Sequence, residues 1–440
     1  MVASFMHSLL IPIQSELPQL LGAERAETAW VITITLLVSC ICTPISGRLG
    51  DMFGKRRVIL ILLTLLVTGS VLCALSVTVA PLIVGRGLQG VGMGVIPLGI
   101  ALLRDTVPAR RLGTAIAFVS ATMGVGAAIG LPIAALITSV SDWHLLFWVA
   151  TGLAGMVLTL CILILPRSLP GTGGRVDVLG AVGLAIWLTA LLLALAKGNE
   201  WGWLSPWTLS CFAISAVTLA LWAWYQWRKS DPLVDVRVSV RRPVLMTNLA
   251  STAMGFSMFV PSIAFPQLLG LPASSGGFAM PLMIGGLILM PSGLAMLVMS
   301  PIGGRLIDRF GPKPLLVTGS VILTVAYLIA LLVPASPWGI AVVMTVVGIG
   351  IGLGYAAMPA LIMRAVPDTE TAAANGLNTL VRALGTSIAS AVVAGILAHS
   401  ATTSATGDPT PEAFRLALLL GAVGATVSAA LAIAVPRTAK

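Results

Sequence analysis

The sequence predicts an all-α integral membrane protein of fourteen transmembrane helices, arranged as two pseudo-symmetric six-helix bundles plus two extra linker helices. Three observations predict it. First, 58% of the 440 residues are hydrophobic and 9% are charged, with a mean hydropathy of +1.04; a soluble chain carries about 25% charged residues. So little charge cannot cover a water-facing surface, and lipid must be the solvent for most of the chain. Second, apolar runs of about 20 residues, the length that crosses a bilayer, recur from end to end. Third, one charged-loop motif occurs twice.

The first apolar run, at about 3–21, is short. Spans follow at about 28–49, 58–77, 80–103, 112–137 and 144–166, and these six make an N-terminal half, residues 1–168. Runs at about 176–196 and 205–226 are the linker helices of a middle segment, 169–242, which ends in the polar stretch 228–242. Six more runs, at about 244–269, 279–303, 314–334, 337–362, 373–398 and 412–435, build a C-terminal half, 243–440. Each stops where charge, proline or glycine clusters. The 46 glycines and 27 prolines lie partly inside these runs, which membrane helices tolerate because neighbours re-satisfy the freed backbone groups.

The net charge of +10 would suggest nucleic acid in a soluble chain. Here it sets topology instead. Twenty Lys and Arg residues fall in the loops and tail of one side, and three (Arg25, Lys197 and Arg415) fall on the other. The positive-inside rule then makes both termini cytoplasmic, in a multi-pass protein of the inner cell membrane. The five cysteines sit within apolar runs as small buried hydrophobes, with no metal-site spacing and no expected disulfide. No cleavable signal peptide is evident. There is no cysteine–histidine pairing, phosphate loop or nucleotide-binding segment, so an enzyme, a cofactor and ATP as a driving force are not expected.

The internal repeat is specific. Residues 44–54 read PISGRLGDMFG and residues 301–311 read PIGGRLIDRFG, an offset of 257. Gly90-Val91-Gly92-Met93-Gly94 pairs with Gly348-Ile349-Gly350-Ile351-Gly352, and Val107-Pro108 with Val366-Pro367. The chain reads as a duplicated six-helix unit. Residue 1 aligns with residue 258, yet the ninth span begins near Val244. The first span therefore lacks about fourteen residues of its counterpart, and the sequence predicts that Met1 is an internal start.

On these motifs the chain resembles the major facilitator superfamily over its whole length, and more narrowly the fourteen-helix drug:proton antiporter group. Residues 47–57, GRLGDMFGKRR, resemble the superfamily's inner loop between the second and third helices. Residues 82–90, LIVGRGLQG, resemble the fourth-helix motif that carries an intramembrane arginine. Residues 124–135, GVGAAIGLPIAA, resemble the fifth-helix antiporter motif, with Ala134 and Ala135 where the family has glycines and Leu131 between Gly130 and Pro132.

The motifs carry physical readings. Gly47 and Gly50 permit close helix approach, and Gly54 permits a tight turn. Asp51 at the rim can dock on the start of the helix near Thr371, worth about 0.3–1 kcal/mol when exposed and up to about 2 when partly buried. Such a contact exists only when the inner side is closed, and so it sets a gate. Arg48, Lys55, Arg56 and Arg57 are expected to add ion pairs between the halves. Gly304, Arg305, Asp308 and Gly311 repeat the gating set. The competing reading is that these charges set topology alone.

Arg86, inside the fourth span, must face the bundle interior and find acceptors, or snorkel to a rim; Gln89 shares its face. The resemblance implies a role for Arg86 in proton or substrate coupling, and Arg382 in the thirteenth span carries a weaker form of that expectation. Gly124, Gly126, Gly130 and Pro132 form a small-residue stripe, read either as plain packing or, from the resemblance, as a determinant of transport direction. Antiporters of cationic drugs carry a deep carboxylate; here Glu16 is the acid nearest a helix interior, and His7 is the other titratable candidate. That leaves neutral, amphipathic or anionic compounds open, with Arg86 as a counter-charge. A midplane pocket would draw on His7, Ser8, Gln14, Asn248, Thr252, Phe256 and Phe259, with Met254 and Met258 nearby.

Three functions remain open. The first is proton-driven export of small hydrophobic or amphipathic compounds by a monomer in the bilayer. The second is solute import on the same fold, against which the fifth-helix glycines argue. The third is a membrane receptor or membrane-embedded enzyme.

Overall fold

The computed structural model describes residues 6, 10, 13, 17–166, 173, 175–333, 336–404 and 407–436. The side chains of 25, 26, 29, 109, 121, 123–125, 127–129, 131, 132, 135, 139, 140, 282 and 368 lie outside that description. No strand occurs among the described residues. The helices run α1 Leu17–Leu21, α2 Arg25–Phe53, α3 Lys55–Ala74, α4 Val79–Gly92, α5 Val95–Thr106, α6 Ala109–Val140, α7 His144–Ile164, α8 Val178–Trp201 and α9 Pro206–Arg228. They continue as α10 Val236–Ser239, α11 Arg242–Gly270, α12 Leu282–Leu289, α13 Pro291–Phe310, α14 Pro312–Leu332, α15 Pro337–Ala365, α16 Thr371–Thr403 and α17 Pro411–Ala434.

Twelve helical spans among the described residues are long and apolar enough to cross a membrane, where fourteen were expected. The twelve do not include α6, 32 residues long with side chains described only in part, nor the expected first span, most of which lies outside the described residues. Two expected single helices are each in two pieces. The break between α4 and α5 falls at Met93–Gly94, after a run of alternating glycines that holds a helix weakly. The break between α12 and α13 falls at Met290, before Pro291, which has no N–H to continue the ladder.

Packing divides the bundle. One apolar cluster draws on Met6 through Ala154 and adds Ala372. A second draws on Ala250 through Val435 and adds Ile100, Ile116 and Ala117. The exchanged residues mark the seams, where α2 runs along α16 and α6 runs along α13. The linker helices α8 and α9 form a third cluster with Leu37 and Cys40 of α2 and Leu380 of α16. They therefore back the α2–α16 seam from outside.

The repeated motif gives two matching corners. Gly54 turns α2 into α3 with φ +94°, and Gly311 turns α13 into α14 with φ +85°. Any side chain at these positive φ values would be strained, so glycine is required at both.

Candidate functional site

The site lies at the end of the bundle that carries the basic loops. Asp51, near the end of α2, is 5% exposed. Its Oδ2 accepts from the backbone N–H of Ala373 at 2.9 Å and of Ala372 at 3.1 Å. These amides belong to the first turn of α16, whose N–H groups have no partner within the helix and whose dipole favours an anion. At the other seam Asp308 of α13 accepts from Gly113 N–H at 2.9 Å and Thr114 N–H at 3.2 Å, and from the Thr114 hydroxyl at 2.7 Å. Asp51 and Asp308 are repeat partners. Gly113 and Thr114 stand in the register of Ala372 and Ala373 that Val107-Pro108 and Val366-Pro367 set. The two clasps are thus related by the repeat, with Gly113 and Thr114 one turn into α6 and Ala372 and Ala373 in the first turn of α16.

Close approach makes each clasp reachable. A Cβ on Gly47 would collide with the carbonyl of Ala372, and one on Gly304 would lie 2.5 Å from Thr114 Cα. Lys55 reinforces the first seam, with Nζ 2.7 Å from Asp105 Oδ2 and 3.2 Å from Thr371 Oγ1. Arg104, which the motif reading missed, also crosses this seam by donating to the Met363 carbonyl.

The expected ion pairs between the halves are corrected. Arg48 pairs at 4.0 Å with Asp231 of the linker segment, Arg56 donates to the Ile162 carbonyl at 3.0 Å within its own half, and Arg57 is exposed. The turn at Gly54 aims Lys55 at the seam, and each later residue rotates about 100° around α3, which carries Arg56 and Arg57 away. Arg305 is exposed, and Arg309 lies over the Phe310 ring at 5.1 Å.

Inside the membrane span, Arg86 of α4 is 1% exposed. Its Nε donates to the Val31 carbonyl at 3.1 Å, and Nη1 donates to the Met6 carbonyl at 3.3 Å and to Gln89 Oε1 at 2.7 Å. Gln89 Nε2 passes the chain on to Ser70 Oγ at 2.9 Å. Arg382 of α16 is also buried, with its guanidinium 4.3 Å from the Tyr355 ring centre. Gly126 and Gly130 of α6 are buried, while the side chain of Pro132 and the surroundings of Gly124 lie outside the description.

The pocket residues divide. His7, Ser8, Gln14 and Glu16 lie outside the described residues. Asn248 is buried, and its Oδ1 accepts from Asn378 Nδ2 at 2.9 Å. Thr252 bonds the Asn248 carbonyl at 3.0 Å, and the Phe256 ring reaches Gly424 of α17. Phe259 packs on the C-terminal cluster. Met254 is buried against Gly354, and Met258 is half-buried.

Sequence reading also missed Asp177. It caps α8 by accepting from Gly180 N–H at 2.9 Å, and it takes donors from Lys229 at 2.7 Å, Gln226 at 3.0 Å, Tyr225 at 3.1 Å and Leu233 N–H at 3.2 Å. Burial works to raise its pKa, but these bonds, led by Lys229, outweigh it and hold the carboxyl below its usual range. An Asp just before an apolar run is a helix-start signal, and it was the available clue. Beside the Asp51 clasp, burial and then the charge of Asp235 push the Glu370 carboxyl up, against the pull of Arg48 and Arg241.

The Major Facilitator Superfamily model matches residues 1–390 and 283–440. The chain is 28% identical over 438 residues to the lincomycin resistance protein LmrB of Listeria monocytogenes, covering 97% of this chain and 90% of LmrB. It is 26% identical over 383 residues to the multidrug resistance protein Stp of Mycobacterium tuberculosis, covering 86% and 70%. Against the uncharacterized transporter YhcA of Bacillus subtilis, at 26% identity, 69% of this chain aligns with 56% of the relative. The fold is similar to the crystal structure of the human organic anion transporter MFSD10, with a TM-score of 0.63, 15% identity, and 97% and 96% of the two chains covered.

Proposed function

This chain belongs to the Major Facilitator Superfamily, and from that premise we propose that it exports small hydrophobic or amphipathic compounds by proton antiport and alternating access. The observation that carries the reading is the pair of carboxylate–amide clasps at Asp51 and Asp308. Both seams are latched at the basic end, so that end is shut. A transporter must release both clasps to open inward, and their strength sets the balance between the access states. Asp51 is buried and worth up to about 2 kcal/mol; Asp308 is exposed and worth about 0.3–1 kcal/mol. Asp51 is therefore the stronger latch.

The reading includes fourteen spans, counting α6 and the segment before α2. It places the basic end and both termini in the cytoplasm of the cell membrane, and takes 1–168 and 243–440 as the moving halves of a monomer. Arg86 and Gln89 act in coupling, and Gly124, Gly126, Gly130 and Pro132 in the direction of transport. The resistance names carried by LmrB and Stp support drug-like cargo. The family is one of transporters, and no enzymatic step is assigned to this chain.

Proton movement in proteoliposomes under an imposed pH gradient tests the reading, with a library of amphipathic compounds and Arg86→Ala as control. Gradient collapse that needs both compound and Arg86 is the expected result. Compound flux without proton movement would favour a facilitator or importer instead.

A further inference from the structure

The two intramembrane arginines are held in opposite ways. Arg86 has three acceptors for its guanidinium. Among the described residues the Arg382 guanidinium has no hydrogen-bond acceptor and no carboxylate partner; it lies over the Tyr355 ring, 4.3 Å from its centre. Yet Arg382 is only 6% exposed. That remaining exposure reaches the guanidinium nitrogens. A cation held in a low-dielectric interior with its in-plane donors unused is a strong attractor for an anion.

The face it occupies is the inner one. Leu377, Leu380 and Leu384 of α16 pack into the linker cluster outside the seam. Asn378 and Arg382, four residues apart, lie on the opposite face at 3.6 residues per turn. Asn378 donates to Asn248 and Ser251 of α11, at 2.9 Å and 2.8 Å. Arg382 therefore stands beside a buried neutral amide network, which adds polarity without a competing negative charge. The Tyr355 ring covers one face of the guanidinium and leaves its edge, where the paired N–H groups match a carboxylate in two-point geometry.

We propose that Arg382, backed by Tyr355, is the anion-recognising group of the transport route, and that the cargo includes amphipathic organic carboxylates. This rests on the transport reading above. It also assigns Arg382 to cargo recognition rather than to coupling, and takes the counter-charge role from Arg86, whose Nε and Nη1 donors are already engaged.

Three fluorescent probes test this in proteoliposomes: carboxyfluorescein as the anion, N-phenylnaphthylamine as the neutral amphipath and ethidium as the cation. Equilibrium dialysis of carboxyfluorescein against the purified full chain gives a second readout. Arg382→Gln is expected to weaken carboxyfluorescein binding and raise its KM by about tenfold or more, as loss of a charge-assisted pair does, with N-phenylnaphthylamine KM within about twofold of the parent. Arg382→Lys keeps the charge and loses the fork, so a smaller, anion-only rise is expected; it decides the matter if Arg382→Gln does not fold. Parent protein that moves N-phenylnaphthylamine or ethidium but neither binds nor moves carboxyfluorescein overturns the proposal and leaves the transport reading standing. An equal loss for all probes in a folded variant, or Arg382→Lys indistinguishable from the parent, overturns it too. If no probe moves and carboxyfluorescein does not bind, both readings fail.

Discussion

The carboxylate of Asp51 is held at 2.9 Å by the backbone N–H of Ala373, 322 positions further along the chain. The bond joins the end of one helix to the start of another across a seam. Its repeat partner, Asp308 on Gly113, does the same at the other seam at 2.9 Å.

Neutralising the clasps should open the basic end unequally. Asp51→Asn removes an interaction worth up to about 2 kcal/mol and should shift the closed-to-open ratio by up to about 30-fold. Asp308→Asn should shift it about fivefold or less. Spin-label distances between the ends of α2 and α16, and of α13 and α6, would report the ratio. Equal effects of the two variants would contradict the ranking.

A methyl group at the seam should act like a wedge. Gly47→Ala would drive Cβ into the Ala372 carbonyl, and backbone cannot step aside as a side-chain end can. Overpacking of this kind costs about 1–3 kcal/mol, and here it falls on the closed state. Cysteine labelling from the basic side should rise about tenfold, with a small change in melting temperature. A large melting loss with unchanged labelling would place the strain in the fold itself.

Gln89 bridges Arg86 to Ser70, so its shape and polarity are both needed. Gln89→Leu leaves donors without partners at about 1–3 kcal/mol. Gln89→Glu supplies a carboxylate to Arg86 and should be tolerated better. Thermal unfolding in detergent should rank the parent first, Gln89→Glu second and Gln89→Leu last.

The Asp177–Lys229 bond should make linker docking indifferent to pH over a wide window. The carboxyl of Asp177 is depressed, so its contribution is complete above about pH 4, the unperturbed value, and is lost as pH falls through the lower folded value. The Lys229 ammonium is raised by its bonds to Asp177 and then Tyr225, so its contribution is complete below about pH 10.4 and fades above the folded value. Proteolysis of the 229–241 segment should be slow and flat from about pH 5 to 9. Asp177→Asn should speed it several-fold across that window. A parent rate that climbs between pH 5 and 7 would count against this assignment.

The amino-acid sequence by itself determined that the chain is helical and lipid-embedded, because charge is too scarce to cover a soluble surface. It also exposed the repeat, and it pointed to the helix starting near Thr371 as the neighbour of Asp51, because a motif and its copy survive in linear order. It did not show that Arg48 would meet Asp231 of the linker segment, nor that the glycine turn at Gly54 would carry Arg56 round to Ile162. Nor did it show the breaks at Met93–Gly94 and Met290, which interrupt runs that read as continuous. The contrast between the two arginines was decided only by tertiary structure. Both are basic residues in apolar runs, but the Val31 and Met6 carbonyls and Gln89 engage Arg86, while Arg382 meets the Tyr355 ring. Those partners come mainly from other helices, and what surrounds a buried charge sets its energy.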